Sequence, residues 1–189
     1  MTDKALLGGV TVLERAIAYA LGSLALVTPE ALDSPTPCRH WALYDLLEHL
    51  GDSMAALAEA SECGRVEVRP AWARSDEQVV TVVRERAHRL LGAWARLDDL
   101  IAVRVDDQSL TAPLVAGAGA LELTVHGWDV AQACGRPRPI PDSLADELLD
   151  LALLFVRSAD RPGRFGPPRS VAADASPGDH LLAFLGRSP

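Results

Sequence analysis

Apolar positions return every three or four residues along most of the chain, the period of helices with one buried face. The first such run spans Leu6 to Val27, with Val10, Leu13, Ile17, Leu21 and Leu24 on one side. ALDSPTPC follows, and its prolines and Ser, Thr and Asp mark a loop. A second helix is expected from about Ala42 to Glu62, burying Leu43, Leu46, Leu47, Leu50, Met54 and Leu57. GRVEVRPAWARS reads as an irregular connection. The third helix, Ser75 to Ile101, opens on a Ser75-x-x-Gln78 capping box and carries Val79, Val82, Val83, Leu90, Leu91 and Trp94. VRVDDQSLTAPLVAGAGA is mixed and partly loop. The fourth helix starts near Pro113 and stops before Gly135, well placed as its cap. RPRPIP is an extended linker. A fifth helix follows Pro141, with Asp142 or Ser143 near its start, and runs to about Ala159, and the Pro/Gly-rich tail is expected to hold a short strand, Ser170 to Ala172, and a short helix, Asp179 to Leu185. The pattern predicts an all-α fold. Residues 1–135 form a four-helix bundle, and 136–189 form a small C-terminal α/β extension packed on it.

Composition narrows the partners. With 49% apolar residues the 189-residue chain can fill a core. A net charge of −8 argues against nucleic acid, whose phosphates call for a surplus of Lys and Arg. No apolar run is long enough for a bilayer, and the charged start MTDK is unlike a signal peptide. Cys38, Cys63 and Cys134 are odd in number, widely spaced and without a CxxC, which fits reduced thiols in a cytoplasmic protein. Lys4 is the only lysine, a composition typical of a GC-rich genome.

The fourth helix carries an anomaly. In LELTVHGWDVA, residues 121–131, the polar residues Glu122, His126 and Asp129 follow one another at spacings of four and three, so they share a face of an otherwise apolar helix. Glu122 and His126 stand one turn apart, about 6 Å along the axis, and can reach one point. A third ligand would come from another helix, where His49 borders the apolar face of DLLEHLGDS. Two imidazoles and a carboxylate suit Zn²⁺ or a similar divalent ion, and three protein ligands leave the open position of a catalytic site. Asp129 would then stand behind the ligands, taking the proton of a ligand histidine in a hydrogen bond and fixing its tautomer. The same spacing also fits a plain helix-surface pair worth a few tenths of a kcal/mol. His40, His88 and His180 fall in a loop, on a charged stretch and in the tail. Cys38, beside Arg39 and His40, has the setting of an activated thiol, with a structural cysteine in a Pro-bracketed loop as the favoured reading. Arg136, Arg138, Arg157, Arg161, Arg164 and Arg169 read as surface charge.

DSPTPCRHWALYDLLEHL, ELTVHGWDVAQACG and PGDHLLAFLGRSP, in this order, resemble the actinobacterial metal-binding proteins related to the N-terminal domain of mycothiol-dependent maleylpyruvate isomerase, within the DinB-like four-helix superfamily. The resemblance covers nearly the whole chain. It implies a four-helix bundle holding a divalent metal, zinc first and nickel as the alternative, on His49, Glu122 and His126, with mycothiol as a co-substrate. The implied activity is a thiol-dependent transferase or isomerase acting on a small electrophilic metabolite, in a monomer or homodimer. A thiol-independent cyclase or isomerase using the cavity, and a non-catalytic small-molecule binder, remain as alternatives.

The chain departs from the family pattern twice. Relatives commonly have Thr or Ser after the motif tryptophan, whereas Ala42 stands here, so Asp45 is expected to be unable to complete a capping box and the second helix to start frayed or elsewhere. The isomerase also carries a larger C-terminal domain than the segment that follows Gly135 here, so its substrate residues do not transfer.

Overall fold

The computed structural model describes residues 9–66, 78–95, 102–105, 108–161 and 163–189. Helix α1 is Gly9–Leu24, α2 Leu43–Cys63, α3 Val79–Trp94 and α4 Ala112–Ala133. Strand β1, Arg65–Val66, follows α2, and β2, Ala102–Val105, and β3, Gln108–Thr111, precede α4. Helices α5, Asp142–Phe155, and α6, Pro177–Phe184, complete the order. The protein is an all-α bundle with a small three-stranded sheet and a short helical extension.

The four long helices form because each offers an apolar stripe to the others. Leu13 and Ile17 of α1, Leu46, Leu47 and Leu50 of α2, Val83 and Leu90 of α3, and Leu123 and Val130 of α4 are fully or almost fully buried in one cluster. Helix α4 lies most deeply, since nearly all of its residues from Gly119 to Ala131 are buried. That depth makes the polar stripe unusual: among the described residues the buried polar side chains include Thr124, His126 and Asp129 of this helix.

Close approach of two helices calls for glycine on α4. A Cβ on Gly127 would lie 3.2 Å from the backbone Cα of Ala20 on α1. Glycine there lets α1 and α4 touch at this point. Gly127→Val is expected to force the helices apart and cost about 1–3 kcal/mol, the usual penalty of overpacking; urea unfolding monitored by circular dichroism checks it. At the end of α4, Gly135 adopts φ 63, its N–H donates to the Gln132 carbonyl, and the Arg136 N–H donates to the Ala131 carbonyl. This is the expected glycine cap.

Several expectations need correction. The start of α2 is not frayed. The Asp45 carboxylate accepts the Ala42 N–H at 2.9 Å, so the half of the capping box that needs no residue-42 side chain survives. The next two N–H groups, of Leu43 and Tyr44, donate to the carbonyls of Ser34 and Leu32. The preceding loop therefore supplies acceptors for the first two N–H groups of the helix, so its start is held without a hydroxyl at residue 42. No strand forms at 170–172; the strands lie instead at β1, β2 and β3, within the stretches read as connection and partial loop. Strand β2 pairs in parallel with β1 and antiparallel with β3, with Val103 opposite Leu110. The Ser75 cap and Ile101 lie outside the described residues, and α3 is described from Val79 to Trp94.

The C-terminal segment is anchored by more than apolar packing. Leu144 and Leu148 of α5, and Leu181, Leu182 and Leu185 in and after α6, join the bundle core. Arginines read as surface charge are ties: Arg138 donates to the Tyr19 carbonyl and to Ser23 Oγ on α1, and Arg161 to the Phe184 and Gly166 carbonyls. Arg138 also lies over the Tyr19 ring, yet burial dominates and pushes the Tyr19 phenol up to about 12. No described helix is long and apolar enough to cross a membrane. The three cysteines are free.

Candidate metal centre

The α2–α4 interface brings the three proposed ligands together. His49 Nε2 lies 2.5 Å from Glu122 Oε1, and His126 Nε2 lies 3.2 Å from the same oxygen. One ligand atom from each residue falls within 4.8 Å of the others. Bonds of zinc length in a tetrahedral shell put neighbouring ligand atoms about 3.3 Å apart, so these residues fit a zinc-sized cation with little movement. The side chains of His49 and Glu122 keep 37% and 35% of their surface accessible, and His126 only 10%. The cluster therefore has a buried back and an open front. Trp41 covers one flank, its ring centroid 4.8 Å from that of His49. Trp128 is buried and serves the core.

The back of the site is a second cluster around Asp129, whose side chain is 0% exposed. His126 Nδ1 lies 3.0 Å from Asp129 Oδ2. An ionised carboxylate only accepts, so Nδ1 carries the proton and Nε2 is the nitrogen turned to Glu122. The Cys38 thiol donates to the same Asp129 oxygen at 3.3 Å, with its sulfur 3.7 Å from His126 Nδ1. Arg187 donates to Asp129 Oδ2 through Nη2 at 2.9 Å and to Oδ1 through Nε at 3.4 Å. Cys38, His126 and Asp129 also have the spacing of a metal triad. That place already holds a fixed cation: Arg187 Nη2 stands between Asp129 and Cys38, 3.7 Å from the sulfur. The metal reading belongs to the open triad.

The electrostatics follow from this packing. Burial works to raise the Glu122 carboxyl, but hydrogen bonds and charge from His126 and His49 outweigh it and hold Glu122 well below the usual carboxylate range. Burial works to lower His126, but hydrogen bonds to Asp129, Cys38 and Glu122 raise it well above its ordinary value. Burial also opposes the charge on Asp129, which His126 and Arg187 nevertheless keep ionised and low.

The loop at 35–42 positions Cys38 and Trp41. Thr36 Oγ1 accepts the Cys38 N–H at 3.2 Å and donates to the Trp41 carbonyl at 2.9 Å, closing a tight turn, and His40 adopts φ 70 within it. A cavity of about 320 Å³ opens along this loop and shares Cys38 and Trp41 with the site. The other two histidines are not part of the triad: His88 lies exposed on α3 and His180 half-buried on α6. Sequence reasoning placed Cys38 as structural and did not consider Arg187 at all. A thiol beside Arg39 and His40 was the legible hint for the first; no local signal marks the second.

A helical bundle that presents His, Glu and His from two facing helices, with a carboxylate behind one histidine, has the arrangement from which bundles build metal sites. The model of the mycothiol maleylpyruvate isomerase N-terminal domain matches residues 13–131, and the chain belongs to that family. Two curated relatives are uncharacterized proteins of Mycobacterium tuberculosis, one from each of two strains, 28% identical over 169 residues that cover 87% of this chain and 90% of theirs. Two solved structures share the fold. One is a histidine-to-alanine mutant of the mycothiol-dependent maleylpyruvate isomerase, with a TM-score of 0.57 and 14% identity, covering 76% of this chain and 67% of that one. The other is the mycothiol-dependent maleylpyruvate isomerase, with a TM-score of 0.52 and 14% identity, covering 66% of this chain and 60% of that one.

Proposed function

We propose that the protein is a metal-dependent enzyme that uses mycothiol, or a similar low-molecular-weight thiol, to transfer to or isomerise a small electrophilic metabolite. The observation that carries the reading is the convergence of His49 Nε2, Glu122 Oε1 and His126 Nε2 on one half-open point. Family membership supports the thiol, and the related isomerase supports the reaction type.

His49, Glu122 and His126 would hold the ion, zinc before nickel; when bound, it supplies a Lewis acid at which a thiol loses its proton near neutral pH. The remaining work falls to the chain. Asp129 holds the Nδ1 proton of His126 and so keeps Nε2 free to act as a ligand. Glu122, held ionised by its two histidine partners, brings negative charge to the ligand set. Trp41 shields His49 from water on one flank, and the cavity along its loop offers room for the thiol or the electrophile. An ionised Glu122 and Asp129 against Arg187 and a divalent ion leave the centre one unit positive, which suits an incoming thiolate.

The test is turnover against metal content. Mycothiol with small electrophiles, maleylpyruvate first, is incubated with purified protein before and after chelation and again after Zn²⁺ is restored. Activity that falls with the metal and returns with it is expected. Full activity after confirmed metal loss would transfer the chemistry to Glu122 and His126 as an acid–base pair. The reading further includes a cytoplasmic monomer or homodimer whose partners are small molecules rather than nucleic acid or membrane.

A further inference from the structure

Arg187 lies far along the sequence from the ligands, yet its guanidinium is among the best-held groups near them. The local sequence explains how it gets there. Ser176 caps α6 by accepting the Asp179 N–H at 3.1 Å, and Asp179 returns the bond by accepting the Ser176 N–H at 3.3 Å. At the other end the Gly186 N–H donates to the Ala183 carbonyl and the Arg187 N–H to the Leu182 carbonyl, at 3.0 and 2.9 Å. Gly186 adopts φ 85. This pairing of bonds around a left-handed glycine reverses the chain just past a helix. A Cβ on Gly186 would stand 2.6 Å from the Gly166 Cα, so only glycine fits between the two segments. Leu185, the residue before the reversal, is fully buried. The turn is thus fixed by backbone bonds, close packing and an apolar anchor, and it sends Arg187 inward. There, Nη1 donates to the Leu185 carbonyl at 3.3 Å while Nε and Nη2 straddle the Asp129 carboxylate.

We infer that Arg187 is a positioning residue of the metal centre: its two-point grip sets the orientation of Asp129, which sets that of His126. A carboxylate held at both oxygens cannot rotate about its last bond, and an imidazole bonded to it cannot turn Nε2 away from Glu122. A lysine could match the charge but not the fork. Cys38 donates to the same oxygen and closes the remaining side. The extension after α4 therefore completes the site that α2 and α4 begin. The inference deepens the metal reading and rests on it for its metal arm only.

The experiment uses the full chain and its Arg187→Lys and Arg187→Met variants. Zn²⁺ affinity is measured by competition with a chromophoric chelator, and the His126 Nδ1–H resonance is followed by NMR in metal-free, histidine-labelled protein. The expected result is a loss of Zn²⁺ affinity of about 10-fold for lysine and toward about 100-fold for methionine, the range seen when partners behind a metal ligand are removed. In both variants the Nδ1–H resonance should shift and exchange faster with water. Arg187→Lys retains the charge opposite Asp129, so it carries the test if the methionine variant does not fold. An unmoved resonance in Arg187→Lys would overturn the inference, even if the melting temperature falls, because that pattern belongs to a residue that only fastens the tail. If the parent itself takes up no Zn²⁺, the metal reading fails, and the metal-free resonance still decides the role of Arg187.

Discussion

His126→Ala is expected to lose bound metal, with affinity falling by at least about 100-fold, the upper end of what loss of a supporting partner alone would cost. Its helical content should persist, because bundle stability rests on the apolar faces of the helices. Elemental analysis beside a far-ultraviolet circular dichroism spectrum checks both halves; metal content equal to the parent would remove His126 from the ligand set. The parent should also show a pH signature. In the metal-free protein His126 is raised well above its ordinary value and so carries a proton on Nε2 at neutral pH. A metal needs that nitrogen free, so binding expels the proton. Affinity should then rise with pH, about tenfold per unit for one released proton, until the raised value is passed. Titration calorimetry in buffers of different ionisation enthalpy would count the proton. His126→Ala abolishes both the site and this dependence.

The largest loss of stability is expected at Asp129. Its side chain is wholly buried and its charge is balanced by Arg187, itself 12% exposed, and by His126. Asp129→Ala removes an acceptor from three donors and strands a buried guanidinium, at a cost of about 3–5 kcal/mol. The Arg15–Glu147 pair provides the contrast: at 2.7 Å it is shorter, but its side chains are 34% and 41% exposed, and water screens it. Breaking that pair should cost less than about 1 kcal/mol. Urea midpoints for the two variants make the comparison, and equal losses would mean that burial around Asp129 contributes nothing.

The sign of the pH dependence of stability follows from the same groups in metal-free protein. Asp129 is lowered, so its contribution is present above its unfolded value, about 3.9, and is lost as pH falls through the folded value. His126 is raised, so its contribution is complete below its unfolded value, about 6.5, and is lost as pH rises through the folded value. The two overlap fully between about pH 4 and 6.5. Asp129→Ala should flatten the profile at both ends, because it removes the acidic group and the main hydrogen bond that raises His126.

The sequence by itself determined the bundle and the open triad. Helical period is a local property, so Leu46, Leu47 and Leu50 announced the buried face of α2, and Gly135 announced the end of α4. The triad was legible for the same reason: Glu122 and His126 sit one turn apart on a helix too apolar to carry them idly, and His49 borders the inward face of its own helix. The strands were hidden because β1, β2 and β3 are two to four residues long, too short for alternation to show, and owe their existence to pairing across the chain. The sound start of α2 was hidden because its caps are the carbonyls of Leu32 and Ser34, and every residue has a carbonyl.

Only the tertiary structure decided what stands behind the triad. Asp129 could be placed on the right face from its spacing, but its partners could not. Cys38 reaches it from a loop 91 positions away and Arg187 from a turn 58 positions away. Neither residue type in its own surroundings differs from a surface arginine or a loop cysteine. Their role arises from burial, which makes an unpaired Asp129 too costly to keep, and burial at one point by three distant segments is a property of the packed chain that no local pattern records.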